Sequence, residues 1–367
     1  MVVNKKKKIF YISPMPPPFG GIAILSKSIL DAGLKNELSV IHLDTATKGV
    51  REKIKTIRFK GILNGIVNYV KLLFLCIKHI DTKHAFVTGT SNWGVLRDFG
   101  YVLILRIFRV KILLNLHGTR KLKSSNIIVR ILSILEMKMA YKVLSPTKVD
   151  FESAKRYINV SEKVHLFYNS TYIPKKLIDN TKYINVKDSK KLTLIGIGRL
   201  SEAKGTFDLL NICVNLIKEW YDIHLKWIGR GAYIDDDIKS NKIVQNEKLE
   251  NKVEFLKDLS EKEKYEQIIK SDVFVLPTKD DNLPISIIEA MACGKPIIST
   301  FMGAIPEVIS ENNGWLVNHS NNNELKECIK SIYLKRSDFG RIGDNNRSAF
   351  NSFYASENRV KELISLL

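Results

Sequence analysis

What the sequence has little of narrows it first. Four cysteines in 367 residues, Cys76, Cys213, Cys293 and Cys328, lie far apart with no Cys-x-x-Cys pair. That argues against a disulfide framework or a zinc ribbon and fits a reducing compartment. Long apolar runs are missing. The stretch 62–77 is broken by Asn64, Asn68 and Lys71, and 101–116 by Arg106, Arg109 and Lys111, so neither reaches the roughly 18 clean residues of a membrane span. Lys5 to Lys8 resemble the start of a secretion signal, but the apolar run behind them ends at Ile12, before Ser13-Pro14, too short for a signal peptide. Repeats are missing too, and 45% hydrophobic residues exclude a disordered chain. Acid is scarce in one half only. Residues 1–175 hold 30 basic and 10 acidic side chains, and 176–367 hold 28 of each. The net +20 therefore sits on the first half, where an anionic partner is expected: nucleic acid, a membrane surface or phosphate groups.

Short apolar runs alternate with helical stretches. Strands are expected at 8–13, 38–43, 85–88, 112–117, 142–145 and 164–168, then at 192–197, 225–228, 253–256, 273–276, 296–299 and 314–317. Several are continuously apolar, as strands buried on both faces are. Such alternation builds parallel sheets covered by helices. The polar, Lys-rich stretch 173–191 reads as a linker between two doubly wound α/β domains. Ligands of such domains bind beyond the carboxyl ends of the strands, so two facing domains would share one cleft.

Three segments carry chemistry. Gly20-Gly21, after Pro16-Pro17-Pro18-Phe19, follows the first strand and opens a helix, a place where backbone can approach an anion; an ordinary tight turn fits the segment equally. Gly198-Arg199-Leu200-Ser201-Glu202-Ala203-Lys204-Gly205 follows the strand at 192–197. There Arg199 and Lys204 could neutralise a diphosphate without a metal, although solvated surface charge is the commoner fate of Lys and Arg. The most specific segment is 276–299. Pro284 suits the first turn of a helix capped by Asn282 or Asp281 and stopped at Gly294. Asp281 then stands at the helix mouth and Glu289 about two turns further in, and both carboxylates could accept bonds from sugar hydroxyls.

With these motifs the chain resembles the GT-B glycosyltransferases of the retaining family called glycosyltransferase family 4. The resemblance spans nearly the whole length. It is strongest at Gly198-Arg199-Leu200 with Lys204-Gly205, at Asp281 to Glu289 with Ala290-Met291-Ala292-Cys293-Gly294-Lys295-Pro296, and at Gly303-Ala304-Ile305-Pro306-Glu307-Val308. It is weaker at Gly20-Gly21, His117-Gly118 and 164–169. The family's paired glutamates are here Asp281 and Glu289, and its later Gly-Gly pair is Gly303-Ala304. The resemblance implies two Rossmann-like domains facing across a cleft: an acceptor domain at 1–175, a nucleotide-sugar donor domain at 176–345, and a C-terminal helix at 346–367 crossing back to the first. It implies catalytic roles for His117 and Asp281, both at the transferred sugar. Donor binding falls to Gly20, Gly21, Arg199, Lys204, Asn282, Leu283 and Glu289, with Arg199 and Lys204 on the diphosphate and Glu289 on the ribose. No metal and no cofactor is expected, because a UDP- or GDP-linked sugar is the substrate. Asp235-Asp236-Asp237 reads as solvated surface. The implied reaction is retaining transfer to a hydroxyl of a glycan or polyprenyl-diphosphate-linked acceptor, as in bacterial surface polysaccharide assembly.

The segment from Arg51 to Lys78 holds much of the first half's charge. Ile62, Leu63, Ile66, Val67, Val70, Leu73, Phe74 and Ile77 recur at helical spacing, flanked by Lys53, Lys55, Arg58, Lys60, Lys71 and Lys78. Such a helix either packs into a core or lies on an anionic membrane. The expected location is cytoplasmic, peripheral to the inner face of the membrane. The rival readings are a non-catalytic sugar-nucleotide-binding protein, a phosphorylase or epimerase on the same architecture, and a basic nucleic-acid-binding protein. Nucleic acid is not the expected partner, since zinc-finger spacing, an RNP-type strand and a recognition helix are all missing.

Overall fold

A computed structural model of the chain describes residues 6–17, 20–46, 54–90, 93–117, 126–158, 161–178 and 191–367, with the backbone alone at 54–63 and 161. The chain forms two compact units. One is Met1–Tyr172 together with Ala355–Leu367, and the other is Ile173–Tyr354.

The first unit runs β1 (Lys8–Ser13), α1 (Gly21–Ile29), the short α2 (Lys35–Glu37), β2 (Ser39–Asp44), α3 (Ile54–Lys78), β3 (His84–Thr88), α4 (Gly94–Ile107), β4 (Lys111–Asn115), α5 (Ile127–Met139), β5 (Lys142–Ser145), α6 (Lys148–Ile158) and β6 (Val164–Leu166). All pairs are parallel, in the order β2-β1-β3-β4-β5-β6. Right-handed crossovers then put α1 on one face of the sheet and α3 to α6 on the other. The packing agrees. Phe10, Ile12, Val87 and Leu114 from alternate strand positions meet Leu72 and Cys76 of α3, Val102 of α4 and Met137 of α5 in one buried cluster. On the opposite face Tyr11 stacks on Phe86 at 4.9 Å and donates its hydroxyl to the Ser26 carbonyl of α1.

The second unit runs β7 (Leu192–Ile197), α7 (Thr206–Lys218), β8 (Ile223–Ile228), α8 (Ile234–Asn246), β9 (Val253–Leu256), α9 (Glu261–Lys270), β10 (Val273–Val275), α10 (Ile285–Ala292), β11 (Ile297–Thr300), β12 (Gly314–Val317), α11 (Asn322–Leu334) and α12 (Phe339–Ala349). Its sheet is again parallel, in the order β12-β11-β10-β7-β8-β9. The direction of winding reverses between β7 and β10. A doubly wound sheet opens a crevice at that point, beyond the carboxyl ends of the two strands.

Each run read as a strand is one, with ends moved by at most two residues. The unit boundaries differ more from the expected 1–175, 176–345 and 346–367. The first break falls after Tyr172, and the chain returns at Ala355. The expected C-terminal helix is in fact two. The turns Phe350–Tyr354 extend α12 and stay with α10 in the second unit, and only α13 (Ser356–Ser365) joins the first. The break is made by Ala355, extended at φ −69° and ψ 132° and bridged to Thr171. From there Ser356 donates its amide to the Thr171 carbonyl and its hydroxyl to Ser170, and α13 packs along α1.

The apolar stripe expected within 51–78 points outward. The core side of α3 is Asn68, Leu72 and Cys76, while Ile66, Val70, Phe74 and Ile77 are exposed. Arg51 and Lys53 lie outside the described residues, as do the side chains of Lys55, Arg58, Lys60, Ile62 and Leu63. Lys5, Pro18, Phe19, Gly118 and the 179–190 part of the expected linker are likewise outside them. Among the described residues no helix is long and apolar enough to cross a membrane.

Candidate functional site

Beyond β7 the chain turns through Gly198, exposed Arg199 and buried Leu200 into a single helical turn at Glu202–Lys204. Ser201 opens that turn, its hydroxyl accepting from the Lys204 amide. Gly205 closes it in the left-handed region, at φ 67° and ψ 19°, and starts α7. Only a residue without a side chain fits here, since a Cβ would lie 2.0 Å from the Pro277 carbonyl oxygen. This close approach holds the Lys204 turn against the segment beyond β10.

That segment carries Asp281. The Lys204 ammonium contacts both carboxylate oxygens, at 2.7 Å to Oδ1 and 2.6 Å to Oδ2. The Thr278 hydroxyl lies 2.6 Å from Oδ2 and 3.1 Å from the Ala203 carbonyl. The Lys279 amide donates to the same carbonyl at 2.8 Å, and its ammonium pairs with Asp208. Lys204 and Asp281 keep 23% and 18% of their side-chain surface exposed. They form an ion pair open to a ligand, not a sealed one.

A third loop supports the second. Gly303, beyond β11, is left-handed at φ 57°, and a Cβ there would lie 2.4 Å from the Asp281 carbonyl and 2.6 Å from that of Asn282. The Ala304 amide donates to the Asn282 carbonyl at 2.9 Å. Three loops from the carboxyl ends of β7, β10 and β11 therefore converge at the winding reversal.

The expected capping of α10 is corrected. The N-cap is Pro284, extended at ψ 131° and without a side-chain bond. Asp281 and Asn282 both lie before that position, and the Asp281 carboxylate is engaged by Lys204 and Thr278. The helix stops as expected, with Gly294 left-handed just beyond it.

Glu289 keeps separate company. Its side chain is 3% exposed, and Oε1 receives the Lys264 ammonium at 2.7 Å and the Tyr265 hydroxyl at 3.3 Å. Leu283 is buried beside the site. Lys295, in the same motif, serves the opposite end of the sheet. It donates to the Ile269 and Ser271 carbonyls at 2.7 and 2.6 Å, and burial pulls its pKa down to about 8. Asp236 accepts from the Tyr233 amide at the start of α8, and Asp237 pairs with Lys257.

In the first unit Gly20 is extended at φ −162° and α1 begins at Gly21. A Cβ on Gly20 would meet nothing within 4 Å, so the chain's own packing does not demand a glycine there. Nearby, the hydroxyls of Ser13, Ser26 and Thr88 form a buried cluster. His117 is half-buried two residues beyond β4. Sequence reasoning missed Thr278, Lys264 and Tyr265. Thr278 carries a weak signal, a hydroxyl three residues before an aspartate in a loop. Lys264 and Tyr265 carry none.

Residues 178–349 match the Glycosyl transferases group 1 family. The chain is similar to the putative colanic acid biosynthesis glycosyltransferase WcaL of Escherichia coli, 27% identical over 184 residues, 48% of this chain and 45% of that protein. It is 29% identical over 184 residues to spore coat protein SA of Bacillus subtilis, 48% of each chain. The chain spans about half the length of these relatives. Among solved structures, Anabaena Alr3699/HepE in complex with UDP superposes with a TM-score of 0.74 at 16% identity, over 98% of this chain and all of that one. That likeness shows the fold, which is GT-B.

Proposed function

We propose that the chain is a retaining, metal-independent glycosyltransferase of the family 4 type. It takes a UDP- or GDP-linked sugar as donor and a hydroxyl of a glycan or polyprenyl-diphosphate-linked oligosaccharide as acceptor. The observation that carries this reading is the Lys204–Asp281 pair at the winding reversal of the second sheet, inside the span that matches the family. The family match, the names of the relatives and the UDP bound by a structural neighbour all support a nucleotide-sugar donor. The WcaL name supports a role in surface polysaccharide assembly.

The proposed chemistry follows from charge. Breaking the bond between the sugar's anomeric carbon and the diphosphate leaves negative charge on the departing oxygens. In this reading Lys204, exposed Arg199 and the backbone at the start of α10 stabilise it. The acceptor oxygen bonds to the anomeric carbon on the face that the diphosphate leaves, and the acceptor proton passes to the departing diphosphate. Asp281 and the Asn282–Leu283 backbone face the transferred sugar. Glu289 offers the ribose its second carboxylate oxygen, the first being held by Lys264 and Tyr265. Gly20, Gly21 and His117 keep the roles that resemblance gives them. The same reading places the protein on the cytoplasmic side of a membrane.

The test is a screen of nucleotide sugars for thermal stabilisation and slow hydrolysis, repeated with Lys204→Met. A UDP- or GDP-sugar should raise Tm and be hydrolysed. The variant should keep its fold and lose about 100- to 1,000-fold in turnover. Turnover near that of the unaltered protein in the variant would overturn the assignment of Lys204.

A further inference from the structure

The helical layer of the first unit has apolar residues on both faces. On α3, Ile66, Val70, Phe74 and Ile77 recur at helical spacing, and Phe74 and Ile77 are 63% and 65% exposed. On α4, Leu96, Leu103 and Ile107 do the same, with Ile107 at 75%; on α5, Ile127, Ile131 and Leu135. Each stripe lies opposite the stripe that meets the sheet: Leu72 and Cys76 on α3, Val102 and Leu105 on α4, Val129 and Met137 on α5. The three helices touch in sequence, α3 with α4 and α4 with α5, on one face of the sheet. Their outer stripes therefore stand side by side. A helix covering a sheet ordinarily shows water a polar outer face. In the second unit α7 does so, with Asn211, Asn215 and Lys218 exposed. Scattered exposed Leu or Ile needs no explanation, but a contiguous apolar face of this kind marks an interaction surface.

The charge around the stripes selects the partner. Ile54–Lys78 contains no Asp or Glu, and the only acids of α4 and α5, Asp98 and Glu136, are buried. Lys71, Lys78, Arg106, Arg109, Arg130 and Lys138 are exposed. Asp81, just past α3, is paired with Lys8 at 2.7 Å. A second copy of this chain on this face would bring two basic surfaces together. A nucleic acid would use the charge and leave the aliphatic stripes in water. A surface whose headgroups are anionic and whose interior is hydrocarbon uses both features.

We infer that α3, α4 and α5 together form a platform that docks the protein on an anionic lipid bilayer. Aliphatic side chains enter the acyl boundary and lysines and arginines stand at the headgroups. This extends the membrane part of the proposed function and rests on that reading for its purpose only. The surface itself is independent of the donor site.

The test is co-sedimentation of the full chain with vesicles of phosphatidylcholine alone or mixed with phosphatidylglycerol. Nucleotide-sugar hydrolysis is followed in the same samples without lipid. Binding should need phosphatidylglycerol and be released by salt. The exposed double change Phe74→Glu with Ile107→Glu should weaken it more than about tenfold. Leu334→Glu, exposed in the second unit, should leave it unchanged. Thermal melts show that both variants fold. Three results would overturn the platform: no binding to phosphatidylglycerol at low salt, equal binding by the double variant, or a salt-stable dimer in place of vesicle binding. Hydrolysis that persists while binding fails refutes the platform alone. Binding without any hydrolysis refutes the donor reading alone.

Discussion

Gly205→Ala adds one carbon at the closest approach between the two loops that hold the ion pair. The new Cβ would start 2.0 Å from the Pro277 oxygen and 2.9 Å from its carbonyl carbon, where ordinary contact begins near 3.4 Å. The loops must part by more than 1 Å. Holding alanine in the left-handed region costs about 1–2 kcal/mol. Stretching the bonds from the Lys279 amide and the Thr278 hydroxyl to the Ala203 carbonyl costs about another 1–2 kcal/mol. The stiffer unfolded chain returns about 0.4–1 kcal/mol, for a net loss of about 1–3.5 kcal/mol. The same displacement moves Lys204 away from Asp281, and a shift of about 1 Å at a reacting centre is worth roughly 100-fold in turnover. Urea unfolding followed by tryptophan fluorescence reads mainly the second unit, which holds Trp220, Trp227 and Trp315 against Trp93 in the first. Donor hydrolysis reads the site. An unchanged urea midpoint would refute the steric reasoning. A lowered midpoint with unchanged hydrolysis would refute the link between this contact and the position of Lys204.

Two further outcomes test the surroundings of the site. Glu289→Gln leaves the Lys264 ammonium against a neutral amide in a nearly closed setting, so it should lower stability by about 1–3 kcal/mol and weaken nucleotide affinity. Urea titration and donor-induced Tm shifts measure the two effects, and no change in either would remove Glu289 from the site. Lys295 loses its proton near pH 8 in the folded chain, whereas an unfolded lysine holds it to about 10.4. Between those values the unfolded state binds more protons, so this group's contribution to stability rises with pH. The stability of the unaltered protein relative to Lys295→Met should therefore climb from about pH 8 to pH 10, as read by thermal melts; a constant difference would contradict burial as the cause.

What could be read from the sequence followed from burial. Parallel strands covered on both faces are unbroken apolar runs, so all twelve were legible. The turns that set the site were legible too, since Gly205, Gly303 and Lys204 lie in motifs whose spacing is local. The misses are contacts made across the fold. Asp281 had the spacing of a helix cap and is held instead by Lys204, 77 residues away. The C-terminal break at Ala355 is made by a backbone bridge to Thr171, and the periodicity of Phe350, Phe353, Val360 and Leu363 runs through it unmarked. The direction of α3 was unreadable for another reason. With apolar residues on both faces, spacing alone cannot say which face meets the sheet.

The pairing of Lys204 with Asp281 also bears on how a diphosphate would enter. A lysine ammonium has three N–H donors, and the two contacts at 2.6 and 2.7 Å run to the two oxygens of one carboxylate, so close together that a single N–H pointing between them serves both. The remaining donors can turn to a phosphate oxygen, so under the proposed function the cation need not release Asp281 in order to bind. Holding the lysine between carboxylate and phosphate also separates two groups of like charge that would otherwise repel. The Thr278 hydroxyl also bonds that carboxylate, at 2.6 Å to Oδ2. On the proposed reading the ion pair would act as a spacer, setting the distance between the diphosphate and the carboxylate assigned to the sugar. On that reading Arg199, exposed on the neighbouring turn, would add a second cation, since Asp281 offsets part of the Lys204 charge.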